Sequence, residues 1–131
     1  MEQTSDAHIA QALYEALDGR HAPAVAAFLD DASLLHVSGR SGLAGDYQGR
    51  EAILGLLGRL RELTGGTLRY DSPSSAAEAG GTIVLLGRAA AVRRGKRLDT
   101  AVRISVAIRG RTLREIWIAH LDRSGFDDFW S

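Results

Sequence analysis

Apolar positions along this chain keep two different rhythms. From residue 6 to 18, Ile9, Leu13 and Leu17 recur at helical spacing, with Ser5 or Asp6 placed to cap the first turn and Gly19 placed to end it. A second short helix is predicted to start near Pro23, whose fixed φ suits a first helical position, and to present Val25, Phe28 and Leu29. Ser33 to Val37 reads as a short apolar strand. The stretch from Ser38 to Gly49 has four glycines and no periodicity, which predicts an irregular loop. Arg50 to Thr64 is a third helix, with Ile53, Leu56, Leu57, Leu60 and Leu63 on one broad face, stopped by Gly65-Gly66.

Beyond Gly66 the period falls to two. Thr67 to Tyr70 is a weak strand and Thr82 to Val92 a long one. Leu98 to Ile108 alternates cleanly, with Leu98, Val102, Ile104, Val106 and Ile108 on one face and Asp99, Arg103, Ser105 and Arg109 on the other. Arg109-Gly110-Arg111 makes a hairpin turn, and Leu113 to Leu121 is the last strand. Helices first and an antiparallel sheet afterwards predict an α+β domain with its helices on one sheet face. With 131 residues and no linker, repeat or low-complexity tract, residues 1–131 read as a single domain with a real core.

Composition narrows the function classes. Sixteen basic residues cancel sixteen acidic ones, so there is no electrostatic footprint for nucleic acid or an anionic membrane. The chain has no cysteine, which excludes disulfides, thiol nucleophiles and zinc–thiolate sites. No pair of histidines has metal-ligand spacing with a carboxylate, and no glycine-rich nucleotide loop follows a strand, so neither metal nor cofactor is expected. The start, MEQTSDAHIA, lacks the basic and apolar regions of a signal peptide, and no apolar stretch reaches membrane-span length, so a cytoplasmic location is expected. Fifteen arginines against the single Lys96 suggest a GC-rich bacterial genome.

Chemistry-bearing side chains gather in two places. One is the loop HVSGRSGLAGDYQG, from His36 to Gly49. The other is the end of the chain, EIWIAHLDRSGFDDFWS, from Glu115 to Ser131. Polar and aromatic groups bordering regular apolar segments suggest a small-molecule pocket. Arg88 is unusual in interrupting an apolar strand, and alternation read with Val84, Leu86, Ala90 and Val92 puts it on a cavity face. Glu115, read onto the cavity face of its own strand, is its expected partner, as a ligand-binding or purely structural ion pair. Trp117 is read as a pocket wall, and His120 as pointing away from it. Phe126, Phe129 and Trp130 are too apolar for a free tail and are expected to close the pocket. Tyr47 closes over a ligand or packs, and Asp46 serves a turn or lines the mouth.

The element order and three stretches resemble the SnoaL-like branch of the nuclear transport factor two-like superfamily, related to ketosteroid isomerases and polyketide cyclases. The stretches are HVSGRSGLAGDYQGREAI, then LTGGT from Leu63 to Thr67, then the spacing of Glu115, Trp117, Asp122, Asp127, Phe129 and Trp130. The resemblance implies a cone-shaped α+β barrel, three N-terminal helices packed in a curved sheet around a deep apolar pocket, in a homodimer. It places His36 where ketosteroid isomerases carry their general base, and an imidazole is a competent base near neutral pH. The alternative for His36 is a rim residue bonded to the loop backbone. It places Tyr14 on the isomerase oxyanion-hole tyrosine, although Ile104 stands where the second, acidic donor belongs. The alternative for Tyr14 is a core tyrosine. It places Asp122 on the acid–base aspartate of SnoaL-type cyclases, against the alternative of a helix cap. Arg88 matches the arginine of limonene epoxide hydrolase-like enzymes, but alanine at position 90 breaks their triad.

Two functions therefore stand as expectations. The first is cofactor-free acid–base chemistry on an apolar, polyketide-like or polycyclic substrate, with His36, Tyr14 and Asp122 catalytic and Tyr47, Arg88, Glu115, Trp117, Phe126 and Trp130 binding substrate. The second is a non-catalytic small-ligand-binding or dimerisation module with the same fold. Convergence of His36, Tyr14 and Asp122 inside an apolar cone separates the first from the second.

Overall fold

The computed structural model describes residues 6–19, 22–40, 42–71, 75–79 and 82–130. Helices α1 (Asp6–Ala16), α2 (Ala22–Ala26) and α3 (Arg50–Leu63) come early, and α4 (Arg123–Trp130) ends the described chain. The strands are β1 (Leu34–Val37), β2 (Gly45–Gln48), β3 (Arg69–Tyr70), β4 (Ser75–Ala79), β5 (Thr82–Arg93), β6 (Lys96–Arg109) and β7 (Thr112–His120). They form one curled, unclosed sheet in the order β2-β1-β7-β6-β5-β3, with β4 also paired to β5.

The helical stripes behave as their spacing predicts. Ile9, Leu13 and Leu17 of the first stripe, and Ile53, Leu56, Leu57 and Leu60 of α3, are buried in one core with the inner faces of the strands. Gly19 ends the first helical segment at a positive φ of 84°, its N–H donating to Ala16 O at 3.0 Å. A Cβ there would stand 2.6 Å from the Leu57 carbonyl, so the same glycine lets the turn lie against α3. No described helix is long and apolar enough to cross a membrane.

The sheet departs from the expected pattern in two ways. β1 runs parallel to β7, although the remaining ladders are antiparallel. The loop after β1 turns back as β2, pairing His36 with Asp46 and Leu35 with Tyr47. Its sequence GDYQ has no apolar alternation because it is an edge strand whose side chains are mostly exposed. Residues 123–130, which follow the candidate helix cap Asp122, form a helix whose Phe126, Phe129 and Trp130 are all buried.

The two faces of the sheet fix everything that follows. On β6 the inner face is Leu98, Val102, Ile104 and Val106, as predicted. On β5 the inner face is Ile83, Leu85, Gly87, Ala89 and Ala91. Val84, Leu86, Arg88, Ala90 and Val92 therefore face outward, a correction to the cavity placement expected for Arg88. Gly87 is on the inner face because Tyr14 stands over it. A Cβ at position 87 would lie 1.9 Å from the tyrosine hydroxyl.

Candidate functional site

The cone closes on a small cavity of about 20 Å³. As it stands this is room for about one water molecule. Leu56 and Leu60 of α3 form one wall, Val37, Leu98 and Ile118 of the sheet another, and Tyr70, Phe126 and Trp130 add aromatic surface. No charged side chain lines it. The side chains with polar atoms on its lining are His120, Trp130 and Tyr70.

His120 stands in phase with Ile116 and Ile118 on the inner face of β7, and only 4% of it is exposed. Neither ring nitrogen has a hydrogen-bond partner in the protein. Its ring lies on Phe126 of α4 with centroids 3.7 Å apart and planes 18° apart. Burial lowers its pKa from 6.5 to about 4, against a smaller opposing pull from Asp127, so the imidazole is neutral at physiological pH. The expectation that His120 points outward is corrected here. It was phased from Trp117, and Trp117 is itself the outward residue.

A second unpartnered buried group sits beside it. Trp130 Nε1 makes no hydrogen bond in the protein. Its ring meets Phe126 edge to face at 6.3 Å and Phe129 at 4.8 Å. Buried polar groups are nearly always paired, so three orphaned nitrogens on two neighbouring side chains call for a reason. Phe126 and Trp130 thus lie where the sequence placed them, against the pocket.

Helix α4 is the stopper of the cone, and its ends are tied. Asp122 caps it, Oδ1 accepting from Gly125 N at 3.0 Å, while its own N–H donates to Thr100 Oγ1 at 3.3 Å. Asp122 is exposed and serves as the cap. Asp127 Oδ1 accepts from Arg40 N at 2.9 Å, pinning the loop after β1. At the far end, the β5–β6 hairpin supplies two cations. Arg93 Nη1 donates to Phe129 O at 3.1 Å with its guanidinium 5.9 Å from the Trp130 ring centroid, and Lys96 Nζ donates to Asp128 O at 2.8 Å.

The remaining sequence candidates lie elsewhere. His36 is on the outer face, clamped between two carboxylates: Nδ1 is 2.7 Å from Asp46 Oδ1 and Nε2 is 2.6 Å from Glu115 Oε2. A carboxylate accepts, so both bonds are made together when both ring nitrogens donate, and the clamp favours the protonated imidazole. The Asp46 hydrogen bond raises its pKa most and Glu115 adds to it, while partial burial opposes both. A cation so held has no lone pair with which to take a proton. Trp117 stacks on this ring at 5.8 Å and is 38% exposed. His36, Asp46, Glu115 and Trp117 are thus brought together, but outside the cone.

Arg88 joins neither group. Its Nε and Nη2 bind Asp99 Oδ1 at 3.1 and 2.8 Å on the outer face, and Glu115 bonds His36 instead of Arg88. Tyr14 is buried in the core against Tyr70, ring centroids 5.8 Å apart. Burial raises its pKa, the Asp71 charge adds to this, and the Arg88 backbone offsets part of it. Tyr47 donates its hydroxyl to Leu43 O at 2.7 Å, holding a cavity-lining residue in place without reaching the cavity. Among the described residues no group of three or more His, Asp or Glu side chains is arranged to hold a metal ion.

No protein-family model matches the sequence, and no curated protein sequence matches it. Solved structures do. The chain is similar to Bal32a from a soil-derived mobile gene cassette, with 28% identity over 95% of each chain and a TM-score of 0.88. It is similar to an NTF2-like protein from Burkholderia xenovorans, with 17% identity over 98% of this chain and all of the other and a TM-score of 0.79. It is also similar to a putative SnoaL-like polyketide cyclase from Shewanella denitrificans, with 16% identity over 94% of each and a TM-score of 0.70. The chain has the NTF2-like cone fold.

Proposed function

We propose that this chain binds a small, mostly apolar molecule inside its cone, with His120 engaging the polar atom of that molecule and α4 giving way to admit it. The observation that carries this reading is the neutral imidazole at the wall of a hydrocarbon cavity with neither nitrogen partnered. A folded chain gains nothing from that arrangement. An unsatisfied buried polar group costs about 1–3 kcal/mol, so its place in the cone is best explained by something that enters.

Binding is favoured over acid–base catalysis by two facts. His36, Tyr14 and Asp122 do not converge: one is clamped on the outer face, one lies in the core and one caps a helix. His120, with its pKa lowered to about 4, is a weak base, far from the near-neutral value that proton abstraction favours. It is well suited to donating through one nitrogen and accepting through the other. The same reading includes a homodimer formed through the outer sheet face.

His120→Leu tests the reading. Filling the site with hydrocarbon should stabilise the apo protein by about 1 kcal/mol or more, because an orphaned polar group is removed. It should also weaken binding of a neutral polarity-sensitive dye such as Nile red. A variant that melts lower than the parent and binds the dye as well would make His120 a structural residue and overturn the proposal.

A further inference from the structure

The stopper itself describes the ligand. Phe126 of α4 is laid flat on His120, and the cavity beside it has room for little more than a water. A ligand larger than that must displace something, and the ring on the imidazole belongs to α4, a helix of eight residues. The chain therefore holds one of its own benzene rings at the place where a ligand ring would stack.

Charge restricts the class further. The cavity lining contains no lysine or arginine to neutralise an anion and no carboxylate to neutralise a cation. An ion moved there would lose its hydration without compensation. The unpartnered polar atoms of the wall also have specific needs, Tyr70 being the other lining residue with a polar group. Trp130 Nε1–H donates only, and a neutral histidine offers one donor and one acceptor. A hydroxyl, which both donates and accepts, answers the imidazole, and a second oxygen could accept from the indole.

Resting on the binding reading above, we propose that the ligand is an uncharged, planar aromatic molecule bearing at least one hydroxyl, whose ring takes the place of Phe126 against His120. Carboxylated and phosphorylated aromatics are excluded from the site, and purely hydrocarbon rings bind without using its polar atoms.

The experiment uses phenol, 2-naphthol, naphthalene and benzoate on the full chain, with affinity followed by calorimetry and thermal shift. The expected result is 2-naphthol binding at least tenfold tighter than naphthalene, benzoate giving no shift, and His120→Leu removing the hydroxyl's advantage while keeping naphthalene. Equal affinity for naphthalene and 2-naphthol would overturn the proposal, as would benzoate binding as well as phenol. Phe126→Ala opens the site directly and should be restabilised by phenol more than by benzene. If that variant does not fold, Phe126→Leu serves the same comparison. Rescue of the Phe126 variants by phenol, with no probe binding to the parent, would mean that the class is right but α4 does not open. That outcome overturns the binding reading and not the chemistry of the site. Rescue by benzene alone would overturn the chemistry.

Discussion

Two histidines on one sheet carry opposite proton chemistry, and each leaves a signature in pH. Between pH 6.5 and about 4 the unfolded chain protonates His120 and the folded chain does not, so stability is full above 6.5 and falls as the pH drops through that window. The change from 6.5 to about 4 corresponds to about 3 kcal/mol. His36 works the other way. Its folded pKa is raised, first by Asp46 and then by Glu115, so its contribution is present below 6.5 and is lost as the pH rises through the folded value. Imidazole proton resonances followed by NMR should show His36 titrating above 6.5 and His120 near 4. His36→Gln should lower the melting temperature at pH 6 more than at pH 9. A His120 that titrates near 6.5 would mean that water reaches it freely. From the sequence, Glu115 pairs with Arg88 on the cavity face, Trp117 is a pocket wall, His36 lies at the mouth and His120 points outside. For Arg88 on β5 and for Glu115, Trp117 and His120 on β7 the cause of the difference is an error of phase, whereas His36 is placed by resemblance. β6 is legible because charges mark its outer face. In β5 both alternating sets, Ile83-Leu85-Ala89-Ala91 and Val84-Leu86-Ala90-Val92, are apolar. In β7 the large Trp117 looks more like core than His120 does. Alternation separates two faces of a strand without saying which one is buried.

Among the elements, the long periodic segments were legible, and the ones that close the site were not. α1, α3, β6 and β7 announce themselves by period, and β5 by a long apolar run. β2 is four residues of edge strand, β4 is Ser-Ala-Ala-Glu-Ala, and α4 is eight residues interrupted by a glycine. Each owes its shape to what it docks on, which local propensity does not record. For α4 the docking is explicit. Burying Phe126, Phe129 and Trp130 contributes on the order of 2 kcal/mol each. Arg93 and Lys96 add hydrogen bonds to the helix's last carbonyls, at the end where the helix dipole favours cations. Arg93→Gln with Lys96→Gln should therefore loosen α4 without unfolding the sheet. Hydrogen exchange should show faster amide exchange in residues 126–130 and unchanged protection in β6. If both regions exchange faster together, α4 is part of one cooperative unit and cannot serve as a separate door. Removing residues 125–131 altogether should lower the melting temperature sharply and weaken Nile red binding.

At the scale of the molecule, the outer sheet face is what remains unexplained by folding alone. One unbroken row of paired residues crosses five strands: Val84, Ser105, Trp117, His36 and Asp46. Beside it runs a second, Leu86, Arg103 and Ala119. Trp117 is 38% exposed and Leu86 41%, and between them stand the small Ser105 and Ala119 together with the exposed Arg103. Exposed large apolar side chains grouped on a flat face mark an interaction surface. A two-fold axis lets the same patch serve on both copies. The His36 clamp gives such a face its character. It fixes the imidazolium under the Trp117 ring by two charge-assisted bonds, so the tryptophan is presented on a rigid base instead of a mobile rotamer. A pre-ordered aromatic loses little entropy on association, which is the property of an interface anchor. Light scattering at micromolar concentration should give twice the chain mass for the parent protein. Trp117→Glu, which puts a carboxylate beside Glu115 at the centre of the patch, should give the mass of one chain with the cone intact, its dye binding and His120 titration unchanged. A monomeric parent would remove the dimer from the account of this face. A dimeric Trp117→Glu variant would move the interface to another part of the surface.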